Sequence, residues 1–523
     1  MKMIKSILAC VIVFSLCISC HSLSSSANLG ERKVSRNTID SNDKHSYLSM
    51  EEIQEDLHVF DSILRTKSSY QGLNGYYYRE DLDLFLNENN GKSISKTEFG
   101  ILLSKIIGKI GDRHAYIKGY DLPESLYFPM SFAPYQEKVL VIERDNVTKK
   151  YNLWDTKFPY ISKINHIPID TILSQILPNE ALAPKKSYLL RSVRDLRDIE
   201  TAFRLMNMEL PNPLSITLKN DQEIEKEVKV TLVERTKRAK IWDERYNKPN
   251  FFFDRDDKKI NDPNVIKTFF RYENDYGYIQ IPSMIDKQDS PVYFDLLNKF
   301  MTSVKNSQFL IIDVRDNGGG NREFINELAG YFIHKDSIHV VNVAQQRRIL
   351  LQNDNFKERL NARYLYSNNQ LNEQEQSAVA KFTSSFQPIY QMNDNKYSEN
   401  HYFILNGKDL SKDKYHYNKP VYILANERTF SAASILVSVF KNLPNITIAG
   451  ITTDGSSGNS ERFKLPNSGL RVKISTMVSF QKDGNILDGM GTKPDIIIER
   501  NLDQIFFKED HQLKKLIEIA KSN

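Results

Sequence analysis

The sequence predicts a multi-domain α/β (α+β) protein, and three observations carry that prediction. From Tyr276 onward, continuous apolar runs ("YGYIQIP", "FLIIDV", "PVYILAN") alternate with segments of helical period ("VYFDLLNKFMTSV", "FINELAGYF"). Strands that are apolar throughout belong in a buried sheet with helices packed on it. Upstream, 47–119 reads as mostly helical, and 120–236 as short β-like runs set off by turn residues. A chain of 523 residues has room for roughly two to four such domains.

The chain opens with "MKMIKSILACVIVFSLCISC": two lysines, an apolar stretch from Ile7 to Ile18, then Ser19 and Cys20. This pattern reads as an export leader, too short and too early for a membrane span. Cys10, Cys17 and Cys20 all lie inside it, so an exported product has no disulfide framework. The polar stretch after Cys20 reads as a flexible tether over 20–46.

In the helical domain, Ile53, Leu57, Phe60 and Ile63 recur on one face, as do Phe99, Leu102, Leu103, Ile106 and Ile107. In 120–236 the runs "KVLVIER", "YISKINHIPIDTIL", "LSITLKN" and "EVKVTLVER", interrupted by the helix-like "LRDIETAFRLMNM", suggest a compact β-rich module. A charged linker follows over 237–275. Its Asp254, Asp256 and Asp257 lack the glycine and distal glutamate of a calcium loop and read as a solvated turn. The core then spans 276–505. "ITIAGI" and "GLRVKISTMVSF" complete it, a polar insertion over 344–419 reads as rim rather than core, and a helix over 506–523 closes the chain.

The net charge of +5 falls nearly to balance once Lys2 and Lys5 leave with the leader, and no basic block is interleaved with aromatics. That argues against a nucleic-acid partner. With no HExxH and no cysteine cluster, no metal or other cofactor is expected.

Three stretches could carry chemistry. In "YILANERTFSAASILVSVFKN" a strand turns into a helix at Ser431, beside backbone N–H groups that lack helical partners. A hydrolase could hold a nucleophile there, or Ser431 or Thr429 could simply cap the helix. In "FLIIDVRDNGGGN", Gly318, Gly319 and Gly320 follow a strand; they allow an oxyanion site or an ordinary tight turn, but lack Walker or GxGxxG spacing. "GDRHAYIK" places His114 after an amphipathic helix, where it could act as a base, and "LDGMGTKPDI" places Asp488 in a glycine-rich turn.

Taken in order, "DVRDNGGGN", "NERTFSAAS", "GITTDGSSG" and "LDGMGTKPDI" resemble the motif series of the carboxyl-terminal processing and tricorn-type serine peptidases, and "GDRHAYI" extends the likeness upstream. The resemblance implies a mixed-sheet ClpP/crotonase-like core with helices on its faces, a divergent PDZ-like module over 120–236, and protein or peptide substrates. It maps the nucleophile to Ser431. The processing branch has a lysine base where this chain has Ser456, which cannot abstract a proton. The tricorn-like branch uses a histidine and an acid, matching His114 and Asp488, although Arg113 stands where that branch has a serine, and Ser434 where many processing proteases have a glutamate. The expected triad is therefore Ser431, His114 and Asp488, with oxyanion donors from the N–H groups of Gly319, Gly320 and Ala432. Cys20 likewise resembles the lipidated residue of a bacterial lipoprotein, with 1–19 as the leader, which implies a cell-envelope location facing the periplasm or on the outer membrane. The expected function is a serine endopeptidase of the envelope. The alternatives are a non-catalytic peptide-binding lipoprotein that retains the fold, and a carrier of apolar ligands, for which the insertion is too polar.

Overall fold

The structure is a computed structural model that describes residues 46–121, 126–145, 147–148, 150–176, 182–234, 262–273, 275–441, 443–456 and 458–522. The leader, Cys20 and the Asp254–Asp257 turn lie outside the described residues. Among those described, no helix is long and apolar enough to cross a membrane.

A six-stranded sheet organises the core, in the order Phe270–Glu273, Tyr276–Gln280, Phe309–Asp313, Val421–Ala425, Ile446–Gly450, Ile496–Ile497. The first pair is antiparallel and the rest are parallel. Side chains alternate across a strand, so a continuous apolar run must bury both faces. Leu310, Ile312, Val421 and Ile423 pack against the helices Pro291–Ser303, Glu323–Phe332 and Ala432–Phe440. Phe309, Ile311, Tyr422 and Leu424 meet Leu513, Leu516 and Ala520 of the closing helix, His511–Ser522. Five parallel strands thus end near one edge, where the loops after Asp313 and Ala425 meet.

Two smaller antiparallel sheets complete the core, and both revise the sequence reading. "GLRVKISTMVSF" forms two strands in two different sheets rather than an extension of the main one. Arg471–Ser475 pairs with Ser460–Lys464 and Tyr116–Lys118, while Met477–Gln481 pairs with Ile338–Gln346. Thr476 separates them because its N–H and hydroxyl both donate to the Asn459 carbonyl instead of a ladder partner. The insertion is also more than a rim. His401–Asn406 pairs with Ile338–Gln346, and Leu360, Leu365, Phe403 and Leu405 join the main core.

The helices Met50–Lys67 and Lys96–Ile110 each start at a capping box, Ser49 with Glu52 and Ser95 with Glu98, and bury the apolar faces read from their periodicity. They pack on Ile474, Val478 and Phe480, which ties this region to the core. Gly111, at φ 83°, ends the second of them and turns the chain into Asp112-Arg113-His114.

Between 126 and 234 a sheet runs Glu225–Val230, Leu214–Lys219, Tyr160–Ile164, Lys138–Arg144, Ser131–Tyr135, and three helices pack with it: Ile169–Ile176, Lys185–Asp195 and Ile199–Leu205. The sequence had shown only one clearly. Lys185–Asp195 buries Ser187, Arg191 and Ser192 alongside Leu190 and Val193, so its inner face carries a weak apolar period.

Candidate active site

Ser431 lies between the strand Val421–Ala425 and the helix Ala432–Phe440 with φ 55° and ψ −126°, a conformation that is strained for any residue with a Cβ. Its side chain makes no capping bond, so the capping alternative does not describe it. The turn is held from below. The Thr429 hydroxyl donates to the Val314 carbonyl, the Phe430 N–H donates to the Asn317 carbonyl, and the Ser434 hydroxyl donates to the Thr429 carbonyl. Gly319 presses against this turn so closely that a Cβ on it would lie 2.5 Å from that of Ser431.

His114 arrives from the other side of the molecule. Its Nε2 is 3.3 Å from Ser431 Oγ, and its ring lies 4.9 Å from that of Phe430, centroid to centroid. Asp112 anchors the approach: its carboxylate accepts the His114 N–H at 3.0 Å and both the N–H and the hydroxyl of Ser475. Burial holds the imidazole well below its ordinary pKa, and the cations of Lys473, Arg113, Arg191 and Arg363 press the same way. The ring is therefore neutral near pH 7 and able to accept a proton.

Its third partner differs from the expected one. Nδ1 of His114 lies 2.8 Å from Ser456 Oγ, at the position where the processing branch carries lysine. Asp488 instead accepts the Tyr70 hydroxyl at 2.6 Å, and its charge bears on Arg113. Asp488 therefore belongs to a layer behind the histidine, because the side chain of Ser456 fills the space at Nδ1. With Nε2 accepting from Ser431, Nδ1 carries the proton and donates to Ser456, a tautomer assigned from these roles.

The expected oxyanion donors also separate. The Gly319 N–H donates to Asn317 Oδ1 at 2.8 Å and is already engaged. Ala432, the first residue of its helix, has no intrahelical partner for its N–H, and the Gly320 N–H makes no hydrogen bond within the described structure.

The Arg113 side chain is buried and reaches Asp454, while its charge helps lower the His114 pKa. Its Nη2 meets Asp454 Oδ2 at 2.9 Å, and Arg191 from the helix Lys185–Asp195 meets the same oxygen at 2.8 Å. Arg191 also lies over the Phe430 ring, and Ser187 on the same helix donates to the Glu427 carbonyl. The β-rich region thus braces both the nucleophile turn and the histidine. Asp112, Asn317, Arg191 and Asp454 were not singled out in the sequence. Asp112 alone had a local signal, an acid two residues before a candidate base.

A serine on a strained strand-to-helix turn, a neutral buried histidine at its hydroxyl, and unengaged N–H groups beside it are the parts that serine-type peptidases assemble. Residues 275–498 match the model of peptidase family S41. The fold is similar to that of mature CPAF, alone (14% identical, 90% of this chain and 97% of that chain covered, TM-score 0.58) and in complex with lactacystin (14%, 90% and 98%, TM-score 0.57). A Chlamydia pneumoniae protein is 28% identical over 85 residues, which span 16% of this chain and 14% of that protein's length.

Proposed function

We propose that this protein is a serine endopeptidase acting on protein or peptide substrates, with Ser431 as nucleophile, His114 as general base and Ser456 as the residue that orients the imidazole. The observation that carries the reading is the contact of His114 Nε2 with Ser431 Oγ at a strained turn, joining residues 317 apart in the chain. Ser431 Oγ attacks the scissile carbonyl as its proton passes to Nε2. The oxyanion is received by the N–H groups of Ala432 and Gly320. The imidazolium then gives the proton to the leaving amine, and water repeats the cycle on the acyl-enzyme. A neutral serine at Nδ1 fixes the tautomer but adds no negative charge. Burial and the surrounding cations make His114 a weak base and, once protonated, a strong acid, so within acylation removal of the Ser431 proton is the slow step and protonation of the leaving amine the fast one.

The leader and Cys20 support a lipid-anchored location in the cell envelope, and the module over 120–236 supports a PDZ-like role in guiding peptides. The deciding experiment is labelling of the chain lacking its leader with a fluorophosphonate probe. Labelling of wild type that is lost in Ser431→Ala and strongly slowed in His114→Ala supports the assignment. A folded wild type that stays unlabelled even with a mixed peptide pool present would instead support the non-catalytic peptide-binding alternative.

A further inference from the structure

The three-stranded sheet of Ser460–Lys464, Arg471–Ser475 and Tyr116–Lys118 has two unlike faces. Ile117, Val472 and Ile474 turn inward, into the apolar cluster shared with the helices Met50–Lys67 and Lys96–Ile110. The outward positions carry cations in register. Lys118 stands opposite Arg471 and Arg471 opposite Lys464; in the next row Tyr116 stands opposite Lys473 and Lys473 opposite Arg462. Lys118, Arg462, Lys464 and Arg471 are exposed, and Tyr116 and Lys473 are half-buried. Like charges directly opposite one another destabilise a sheet. Glu461, the acid on these strands, faces the other way and pairs with Arg359. Among the described residues, no carboxylate lies within ion-pair distance of Lys118, Lys464, Arg471 or Lys473. The Lys118 and Lys473 ammonium groups lie 4.5 and 5.2 Å from the centre of the Tyr116 ring, and the Arg462 Nε–H donates to its hydroxyl at 3.4 Å. Burial raises the pKa of that phenol, yet these cations together hold it below its ordinary value.

We propose that this basic face docks on an anionic lipid bilayer and fixes how the catalytic body sits on it. The bilayer as occupant rests on the envelope location proposed above. It is favoured over an acidic polypeptide by where the chain enters the body. The stretch over 20–46 reads as a tether from Cys20 and joins the described structure at Tyr47, which pairs with Ser95. Two residues on, the Thr97 hydroxyl donates to the Asp121 carbonyl at 2.8 Å, and Asp121 lies three residues beyond Lys118. The tether therefore enters beside the outer end of the basic rows. A tether of that length spans on the order of 30 Å, so a leaflet that holds Cys20 lies within reach of this face. Each Lys or Arg brought to an anionic surface adds a further increment of attraction, which falls off within a Debye length of about 8–10 Å. Cations spread over three strands, about 4.8 Å apart, meet many headgroup phosphates at once rather than one carboxylate.

The test is cosedimentation with vesicles, using the full chain after removal of its leader and without lipid, so that no anchor contributes. Vesicles of phosphatidylcholine alone are compared with vesicles of phosphatidylcholine and phosphatidylglycerol in equal parts. We expect binding to the second at least about tenfold tighter than to the first, and its loss in about 1 M salt. Lys118→Gln, Lys464→Gln and Arg471→Gln should each weaken it about fivefold, and the triple variant on the order of 100-fold. Circular dichroism checks that each variant folds, and the single variants keep the test open if the triple variant does not. A control replaces three exposed lysines elsewhere, Lys335, Lys412 and Lys419, by glutamine, with the same change in net charge. Equal binding to both vesicles overturns the proposal. So does a control that weakens binding as much as the triple variant, since net charge alone then acts. A Glu-rich peptide that binds through this face while the vesicles do not makes the occupant an acidic polypeptide and overturns it too. Attachment at Cys20 is read separately, by cell fractionation and labelling with a fatty-acid probe, so failure of the envelope reading is distinguishable from failure of the lipid face.

Discussion

Ser456 Oγ stands 2.8 Å from Nδ1 of His114, where a triad would ordinarily place a carboxylate. A hydroxyl can hold the ring in one tautomer but cannot offset the charge that forms on it. Ser456→Ala should therefore lower kcat by between about tenfold and 10³-fold, less than the ~10⁴-fold associated with a disabled carboxylate partner, and leave KM little changed. Asp488→Asn, one layer back, should cost less than Ser456→Ala. Steady-state kinetics on one peptide decides the order; the reverse order would return Asp488 to the triad.

The pH profile follows from the same ring. His114 acts as a base only when neutral, and its folded pKa lies well below 6.5. Activity should therefore persist as pH falls through 6.5 and drop only below it, when the imidazole finally protonates. Ser456→Asp puts a negative charge at Nδ1, favours the protonated ring and should move the acid limb of kcat/KM to higher pH. An unchanged limb in that variant would mean that another group sets it.

Arg191 reaches the site from a separate region and shares Asp454 with Arg113. Arg191→Met keeps the apolar stem and removes the ion pair, leaving Asp454 one cation short. Labelling of Ser431 by the fluorophosphonate probe should slow about tenfold, with stability lowered by ~1–3 kcal/mol. Arg191→Lys should recover part of the rate, and a wild-type rate in Arg191→Met would confine this contact to stability alone.

Away from the chemistry, Arg315 bridges Asp313, at the end of a core strand, and Asp510, before the closing helix; Arg315 and Asp313 are buried and the Asp510 side chain is largely covered. Removing one partner of a buried pair leaves an uncompensated charge. Asp510→Ala should reduce stability by about 3 kcal/mol in urea unfolding, with Ser431 still reactive in the folded fraction.

How much was legible can be judged from particular residues. Leu310 and Ile311 announced a strand buried on both faces, and the structure places them on opposite sides of the sheet. The helix Lys185–Asp195 was illegible because the residues it buries include Arg191, Ser187 and Ser192, and the partners of Arg191 and Ser187 lie more than two hundred residues away. Gly319 was legible as a special glycine, but its role was not. Its positive φ and close approach to Ser431 are backbone matters, whereas the engagement of its N–H depends on the rotamer of Asn317.

By itself, the sequence determined the layered core and the strand-to-helix turn at Ser431, because apolar period and glycine placement are local properties, and it was the motif resemblance that pointed to His114 as a base. Only the tertiary structure decided what stands behind that base. Ser456 meets His114 across 342 residues, and Asp488 pairs with Tyr70 across 418. Which of two loops reaches Nδ1 first depends on how three sheets close on one another, and no local pattern encodes that closure.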